Sequence, residues 1–146
     1  MAIHQSFPGI EVTVQVDSVN LVEYDAENDQ VNHPDPDVSR YKEARTVTKY
    51  VESQTGKTYT VKINVRKPYN MDCPGLVFRW RTDSQTITGI HLTREGYELS
   101  MFDYSHVLEG QRADKGNMRD TLKFSEINSS KFQFNLQLLT LQCFNF

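Results

Sequence analysis

Pro8-Gly9-Ile10-Glu11-Val12-Thr13-Val14-Gln15-Val16 is the stretch of sequence that indicates the fold of this chain. After the Pro-Gly pair, apolar residues with branched β-carbons alternate with polar ones. Successive side chains of an extended chain point to opposite faces, so this period of two predicts a β-strand. We expect Ile10, Val12, Val14 and Val16 to face a core, and Glu11, Thr13, Gln15 and Asp17 to face water.

The same alternation recurs along the chain and predicts an all-β protein. Residues 45–52 and 58–65 flank the turn-forming residues 53–56, so we expect them to form a hairpin. Further strands are predicted around residues 76–81, 86–92, 117–127 and 132–138, and no window has a sustained helical period. The predicted inward residues of these strands include Tyr59, Val61, Ile63, Val65, Leu76, Phe78, Leu122 and Phe124.

About eight short strands in 146 residues predict one antiparallel two-sheet β-sandwich domain over residues 1–146, with little helix. A closed barrel is the alternative. Residues 24–45 are rich in Asp and Glu and contain Pro34 and Pro36, so we expect a long acidic surface loop. Residues 130–146 form an apolar C-terminal segment with no charged side chain after Lys131, and we expect a divergent final strand there.

Composition narrows the function classes. The formal net charge of −3 argues against a general binder of nucleic acid or anionic membranes. No run approaches the ~18 apolar residues that cross a bilayer. The first residues lack a basic segment followed by an apolar one, so we expect an intracellular protein, cytoplasmic or nuclear. Cys73 and Cys143 are too far apart to indicate a metal site or a disulfide framework.

The chain resembles a large group of uncharacterised fungal proteins that carry an N-terminal globular domain of unknown function. The resemblance lies in the opening PGIEVTVQV (residues 8–16), in VTKYVE (47–52), in Tyr69-Asn70-Met71-Asp72-Cys73 and in LKFSEI (122–127). It spans roughly residues 1–127 and ends before the apolar C-terminal segment. The resemblance implies an intracellular protein and supplies no cofactor, activity or catalytic residue.

Three motifs resemble ligand or metal sites, and each lacks a required part. Residues 55–58 (TGKT) resemble the end of a P-loop, but Val51 replaces the first glycine and a strand follows the lysine. The acidic residues 25–29 resemble a calcium loop that lacks its glycine and its glutamate. His33 and Asp35, with His91 or His106, resemble an iron triad placed on a loop. We predict no catalytic residue, metal or cofactor, and keep a metal-dependent enzyme as the weakest alternative.

Two groups of residues are predicted to bind a partner. The apolar row Phe132, Phe134, Leu136 and Leu138 is either a closing strand that is buried in the core or a homo-oligomer interface. Arg79 and Arg81, with Lys62, Arg66 and Lys67 on a neighbouring strand, are predicted to form a basic patch for an acidic partner. The most favoured function is a non-enzymatic protein-interaction module that self-associates. The alternative is a small-ligand or carbohydrate binder that uses residues 93–116.

Overall fold

The computed structural model describes residues 2–3, 7–25, 34–43, 46–82, 85–112, 119–124 and 131–137. Strands dominate this part of the chain, and the two helices in it are short. In chain order the elements are β1 (Ala2–Ile3), β2 (Ile10–Val16), β3 (Val19–Asn20), β4 (Glu23–Asp25), α1 (Pro36–Glu43), β5 (Thr46–Glu52), β6 (Thr60–Arg66), β7 (Gly75–Thr82), β8 (Gln85–Thr93), α2 (Arg94–Leu99), β9 (Asp103–Leu108), β10 (Gly110–Arg112), β11 (Arg119–Thr121) and β12 (Lys131–Gln137).

The largest sheet is built around β2 and has the strand order β1-β2-β6-β9, with β3 also paired to β2. β2 and β6 run antiparallel from Ile10 opposite Val65 to Gln15 opposite Thr60. The predicted inward rows of both strands are confirmed as buried: Ile10, Val12, Val14, Val16, Val61, Ile63 and Val65. Burial of these branched side chains stabilises the sheet because apolar area leaves water.

Three smaller antiparallel sheets complete the described structure. They have the strand orders β12-β5-β4, β7-β8 and β10-β11, and the sheets among the described residues are open rather than closed. One core joins the sheets: Val51 of β5, Phe78 of β7 and Leu92 of β8 belong to the same buried cluster as the β2 and β6 rows. Leu122 and Phe124 are also buried, as predicted. The prediction of a mainly antiparallel β-protein is therefore confirmed.

The predicted hairpin between residues 45–52 and 58–65 is wrong. β5 pairs with β4 and β12, whereas β6 pairs with β2 and β9. The connection between them bonds instead to residues 122–124: the Tyr59 N–H donates to the Leu122 carbonyl at 2.8 Å, and the Phe124 N–H donates to the Lys57 carbonyl at 3.0 Å. The chain therefore crosses from the sheet of β5 to the sheet of β6 at this connection.

The acidic segment 24–45 contains a helix where a loop was predicted. Pro36 begins α1 instead of breaking a helix, because proline fits the first helical position, where its missing N–H is not needed. Asp35 caps this end, and its Oδ1 accepts a hydrogen bond from the Asp37 N–H at 2.9 Å. Residues 26–33 and 44–45 lie outside the described part of the chain.

The predicted outward face of β2 is also partly wrong, since Glu11 and Thr13 are buried. β2 is a central strand that pairs with β1 and β6, and both of its faces are buried from Ile10 to Val14. The Glu11 carboxylate accepts a hydrogen bond from the Arg66 guanidinium, which compensates its charge at this shielded position. Gln15 is half-buried and Asp17 is exposed, so the predicted exposure returns at the end of the strand.

Candidate functional site

The predicted apolar C-terminal row falls on β12 at one edge of a sheet. β12 pairs with β5 along its whole length, and Phe132, Phe134 and Leu136 stand opposite Val51, Lys49 and Val47. Val51 is only 2% exposed and belongs to the core. Leu138, the fourth residue of the predicted row, lies outside the described residues. Three of the four residues therefore occupy alternate positions of β12, at the edge of this sheet.

The predicted basic patch is not assembled as expected. Arg79 and Arg81 lie on β7, opposite Gly89 and Thr86 of β8. β6, which carries Lys62 and Arg66, has β2 and β9 as its neighbours, so the assumption that β6 and β7 are adjacent strands is wrong. The guanidinium of Arg66 donates to Glu11, and the ammonium group of Lys67 lies 4.8 Å from the centre of the Phe102 ring.

The candidate metal residues do not converge in the described part of the chain, where no group of three or more His, Cys, Asp or Glu side chains has a metal-binding arrangement. His91 lies on β8 and His106 on β9, where His106 stacks on Tyr104 with ring centres 6.4 Å apart. His33 and residues 26–29 of the calcium-like segment lie outside the described residues. None of the helices described is long and apolar enough to cross a membrane.

Two aromatic residues of segment 93–116, Tyr97 and Phe102, pack against each other. Tyr97 is 1% exposed, and its hydroxyl donates to the Tyr69 carbonyl oxygen at 3.1 Å. Phe102 packs edge-to-face against Tyr97 with ring centres 5.4 Å apart, and Lys67 covers the Phe102 ring. Tyr97 is thus enclosed, and Phe102 is partly covered. Residues 113–118 of this segment lie outside the described structure.

The turn between α2 and β9 presents apolar side chains that the sequence pattern did not reveal as a surface. Leu99 is 77% exposed and Met101 is 86% exposed. Tyr97, Leu99 and Met101 alternate with polar residues, which is typical of a strand, but the chain is helical to Leu99. The available signal was Thr93, whose hydroxyl oxygen accepts a hydrogen bond from the Gly96 N–H at 3.0 Å and caps the helix.

We expect Tyr97 to make the stability of the fold sensitive to alkaline pH. Burial, with a smaller effect of the Asp103 charge, raises the pKa of Tyr97 above the usual value of about 10. The contribution of Tyr97 is therefore complete below about pH 10 and is lost as the pH rises through its higher folded-state pKa. We expect urea denaturation to show a steeper alkaline loss of stability for the parent chain than for Tyr97→Phe. Tyr24→Phe, at an exposed tyrosine, should keep the parent profile, and identical profiles for the parent and Tyr97→Phe would contradict the prediction.

Comparison of the sequence with known protein families identifies the family of this chain. The model of the DUF7918 family, a domain of unknown function, matches residues 9–135. This match confirms the expected kinship with an uncharacterised domain family, while the fungal origin stays a prediction. No curated protein and no solved structure matches the chain. Since the match covers most of the 146 residues, the chain belongs to the DUF7918 family.

Proposed function

We propose that this chain is a non-enzymatic protein-interaction module that self-associates through the outer edge of β12. The observation that carries the proposal is the position of β12 at the end of the sheet β12-β5-β4. Its inner edge pairs with β5 over seven residues, and no strand of the described chain pairs with its outer edge. An edge of this length offers a row of backbone N–H and C=O groups to a second strand.

The two edges of this sheet differ in the devices that prevent association. β4 has three residues, and two of them are the acidic Glu23 and Asp25. β12 has seven residues with the sequence KFQFNLQ, in which Lys131 is the only charged residue, and it contains no proline. Natural edge strands are commonly protected by charge, proline or short length. β12 is longer than β4, carries one charge and has no proline, so it is the less protected edge. This difference favours β12 as the edge that associates.

Burial of the apolar row and association through the strand edge are compatible. We propose that the sheets pack as a two-layer β-sandwich in which β12 is the closing strand. Phe132 stands opposite the buried Val51, and directly opposite residues of an antiparallel pair share a face of the sheet. A face can thus contact the core while the outer backbone edge of the same strand pairs with another copy.

Light scattering coupled to size-exclusion chromatography tests the proposal on the full chain. The parent should elute as a dimer whose fraction rises with concentration. The double variant Gln133→Lys/Asn135→Lys adds charge to the edge strand while it keeps Phe132, Phe134 and Leu136, and it should elute as a monomer. Tyr24→Lys adds charge to the other edge and should leave the dimer intact. A monomeric parent, or a dimer that the β12 variant does not weaken, would overturn the proposal.

A further inference from the structure

The residues of β12 are arranged symmetrically about the middle of the strand. Its sequence KFQFNLQ alternates polar and apolar residues, and Phe134 is the central residue. Residues at equal distances on either side of Phe134 belong to the same class, apolar or polar: Gln133 and Asn135, Phe132 and Leu136, and Lys131 and Gln137. A strand of this kind is complementary to a second copy of itself, because a twofold axis through its centre places residues of the same class opposite each other.

The lysines at this edge each have a carboxylate as a neighbour in the same chain. Lys131, the only charged residue of β12, stands directly opposite Glu52 of β5, and cross-strand pairs of opposite charge are favourable. Lys49 of β5 stands opposite Phe134, and its ammonium group donates to the Asp25 carboxylate on β4, the other neighbour of β5. A second β12 strand would therefore not meet an uncompensated lysine at the centre of this edge.

We propose that two copies of the chain pair β12 with β12 in antiparallel orientation, with the twofold axis at Phe134. This inference rests on the proposed self-association and specifies its register and its symmetry. Phe134 would stand opposite Phe134 of the second copy, Phe132 opposite Leu136, and Gln133 opposite Asn135. The two sheets would then join into one continuous sheet with the strand order β4-β5-β12-β12-β5-β4.

The same register extends the apolar row of the sheet across the axis. Val51 is buried and stands opposite Phe132, and Val47 is half-buried and stands opposite Leu136. Directly opposite residues of an antiparallel pair share a face. The proposed pairing would thus line up Val51 and Phe132 of one copy with Leu136 and Val47 of the other. Apolar cross-strand neighbours of this kind stabilise a sheet.

Other registers pair less of the strand or oppose like charges. An axis at Gln133 pairs only residues 131–135, and an axis at Asn135 pairs only residues 133–137, whereas the axis at Phe134 pairs the whole described strand. A parallel pair in register would set Lys131 beside its own copy, and like charges in neighbouring strands repel. The axis at Phe134 is therefore the arrangement that the strand favours.

This symmetry limits the assembly to two chains. An interface in which both copies use the same edge is closed, because neither copy keeps that edge for a third chain. The opposite edge of the sheet, β4, is short and carries Glu23 and Asp25. We expect the molar mass from light scattering to level off at that of a dimer as the protein concentration rises.

Disulfide cross-linking of cysteine variants tests the register. Residues directly opposite each other have Cα atoms about 4.5–5.5 Å apart, within the range that a disulfide bridges. In the proposed register Gln133 and its own copy would lie about 8 Å apart, beyond that range. All variants of the full chain carry Cys143→Ser and keep Cys73, which is buried. Mild oxidation and electrophoresis without a reducing agent separate cross-linked chains from single ones.

An equimolar mixture of Gln133→Cys and Asn135→Cys chains should cross-link after their subunits exchange in reducing buffer. We expect about tenfold more cross-linked product from this mixture than from either variant alone, because only the mixture sets two thiols opposite each other. A mixture of Gln133→Cys and Gln137→Cys is the matched control. It contains the same number of thiols two residues out of register, and it should cross-link no more than the single variants do.

Charge variants test the register without oxidation. Gln133→Lys/Asn135→Glu would set each introduced lysine opposite an introduced glutamate of the second copy, so the dimer should persist and should weaken as salt is added. Gln133→Lys/Asn135→Lys sets lysine opposite lysine in the same positions and should be monomeric. With the axis at Gln133 or at Asn135, both variants would oppose like charges at that axis, and both would be monomeric.

Three results would overturn the register and leave the self-association in place. They are cross-linking of Gln133→Cys alone, which moves the axis to Gln133; cross-linking of Asn135→Cys alone, which moves it to Asn135; and failure of the mixture of these two variants to cross-link. In each case light scattering in reducing buffer still shows a dimer. A monomeric parent chain, in contrast, would overturn both the register and the proposed self-association.

Discussion

Replacement of Gly9 by alanine should destabilise the fold by about 4 kcal/mol or more, or prevent folding altogether. Gly9 has φ +95°, a conformation that residues with a side chain rarely adopt. A β-carbon at this position would lie 2.1 Å from the Arg66 carbonyl oxygen and 2.6 Å from the Tyr69 nitrogen. Both are backbone atoms, which cannot rotate away as a side chain can. The clash would also disturb the 2.9 Å hydrogen bond from the Arg66 N–H to the Gly9 carbonyl, next to the start of β2.

Gly56→Ala is the matched control for this substitution. Gly56 also has a positive φ, +79°, but no atom of the described residues would lie within 4 Å of a β-carbon at this position. We expect this change to cost about 1–2 kcal/mol, the strain of the backbone alone. Urea denaturation followed by circular dichroism measures both variants. Equal stability of Gly9→Ala and Gly56→Ala would contradict the prediction, because it would show that the backbone of residues 66–69 does not contact a β-carbon at position 9. Insoluble Gly9→Ala beside a soluble Gly56→Ala would agree with the prediction.

Truncation of Tyr97 to alanine should have the second large effect, a loss of about 3–5 kcal/mol in the free energy of unfolding. Tyr97 is among the largest fully buried side chains described and joins α2 to the core. Its ring contacts Phe102 edge-to-face, and its hydroxyl donates to the Tyr69 carbonyl oxygen. The truncation leaves a cavity the size of an aromatic ring and removes the partner of a carbonyl group at the same time.

Two control substitutions separate these contributions. Tyr97→Phe removes only the hydroxyl and should cost about 1 kcal/mol, the value of one hydrogen bond. Tyr24→Ala truncates a tyrosine that is 54% exposed and should change the stability by about 0.5 kcal/mol or less. Chemical denaturation of the three variants gives the comparison. If Tyr97→Ala lost no more stability than Tyr24→Ala, the placement of Tyr97 in the core would be refuted.

Period-two alternation predicted burial well because it depends only on the local direction of side chains. Val12, Val61 and Leu122 are buried as predicted, although they lie on separate elements. The same pattern could not predict which strands pair. It placed β5 and β6 in one hairpin, whereas the core separates them into two sheets. Alternation indicates which face of a strand is buried, but it does not indicate which strands are its hydrogen-bonded neighbours.

The candidate sites also combine features that the sequence pattern revealed with features that only the structure revealed. The apolar row that begins at Phe132 was visible in the sequence because four apolar residues alternate there, and its edge position on β12 emerged only from the sheet order. The surface at Leu99 and Met101 was missed because α2 is only six residues long and its apolar residues alternate as in a strand. The backbone of Met101 and Phe102 is left-handed there, which no glycine at either position signalled.

For this protein the sequence by itself determined the strand character and the alternating apolar rows that the strands bury. These properties follow from the direction of successive side chains along an extended chain. Only the tertiary structure decided the strand partners and the burial of Glu11 beside Arg66. Both depend on contacts between residues far apart in sequence, which are set by how the sheets together cover one core.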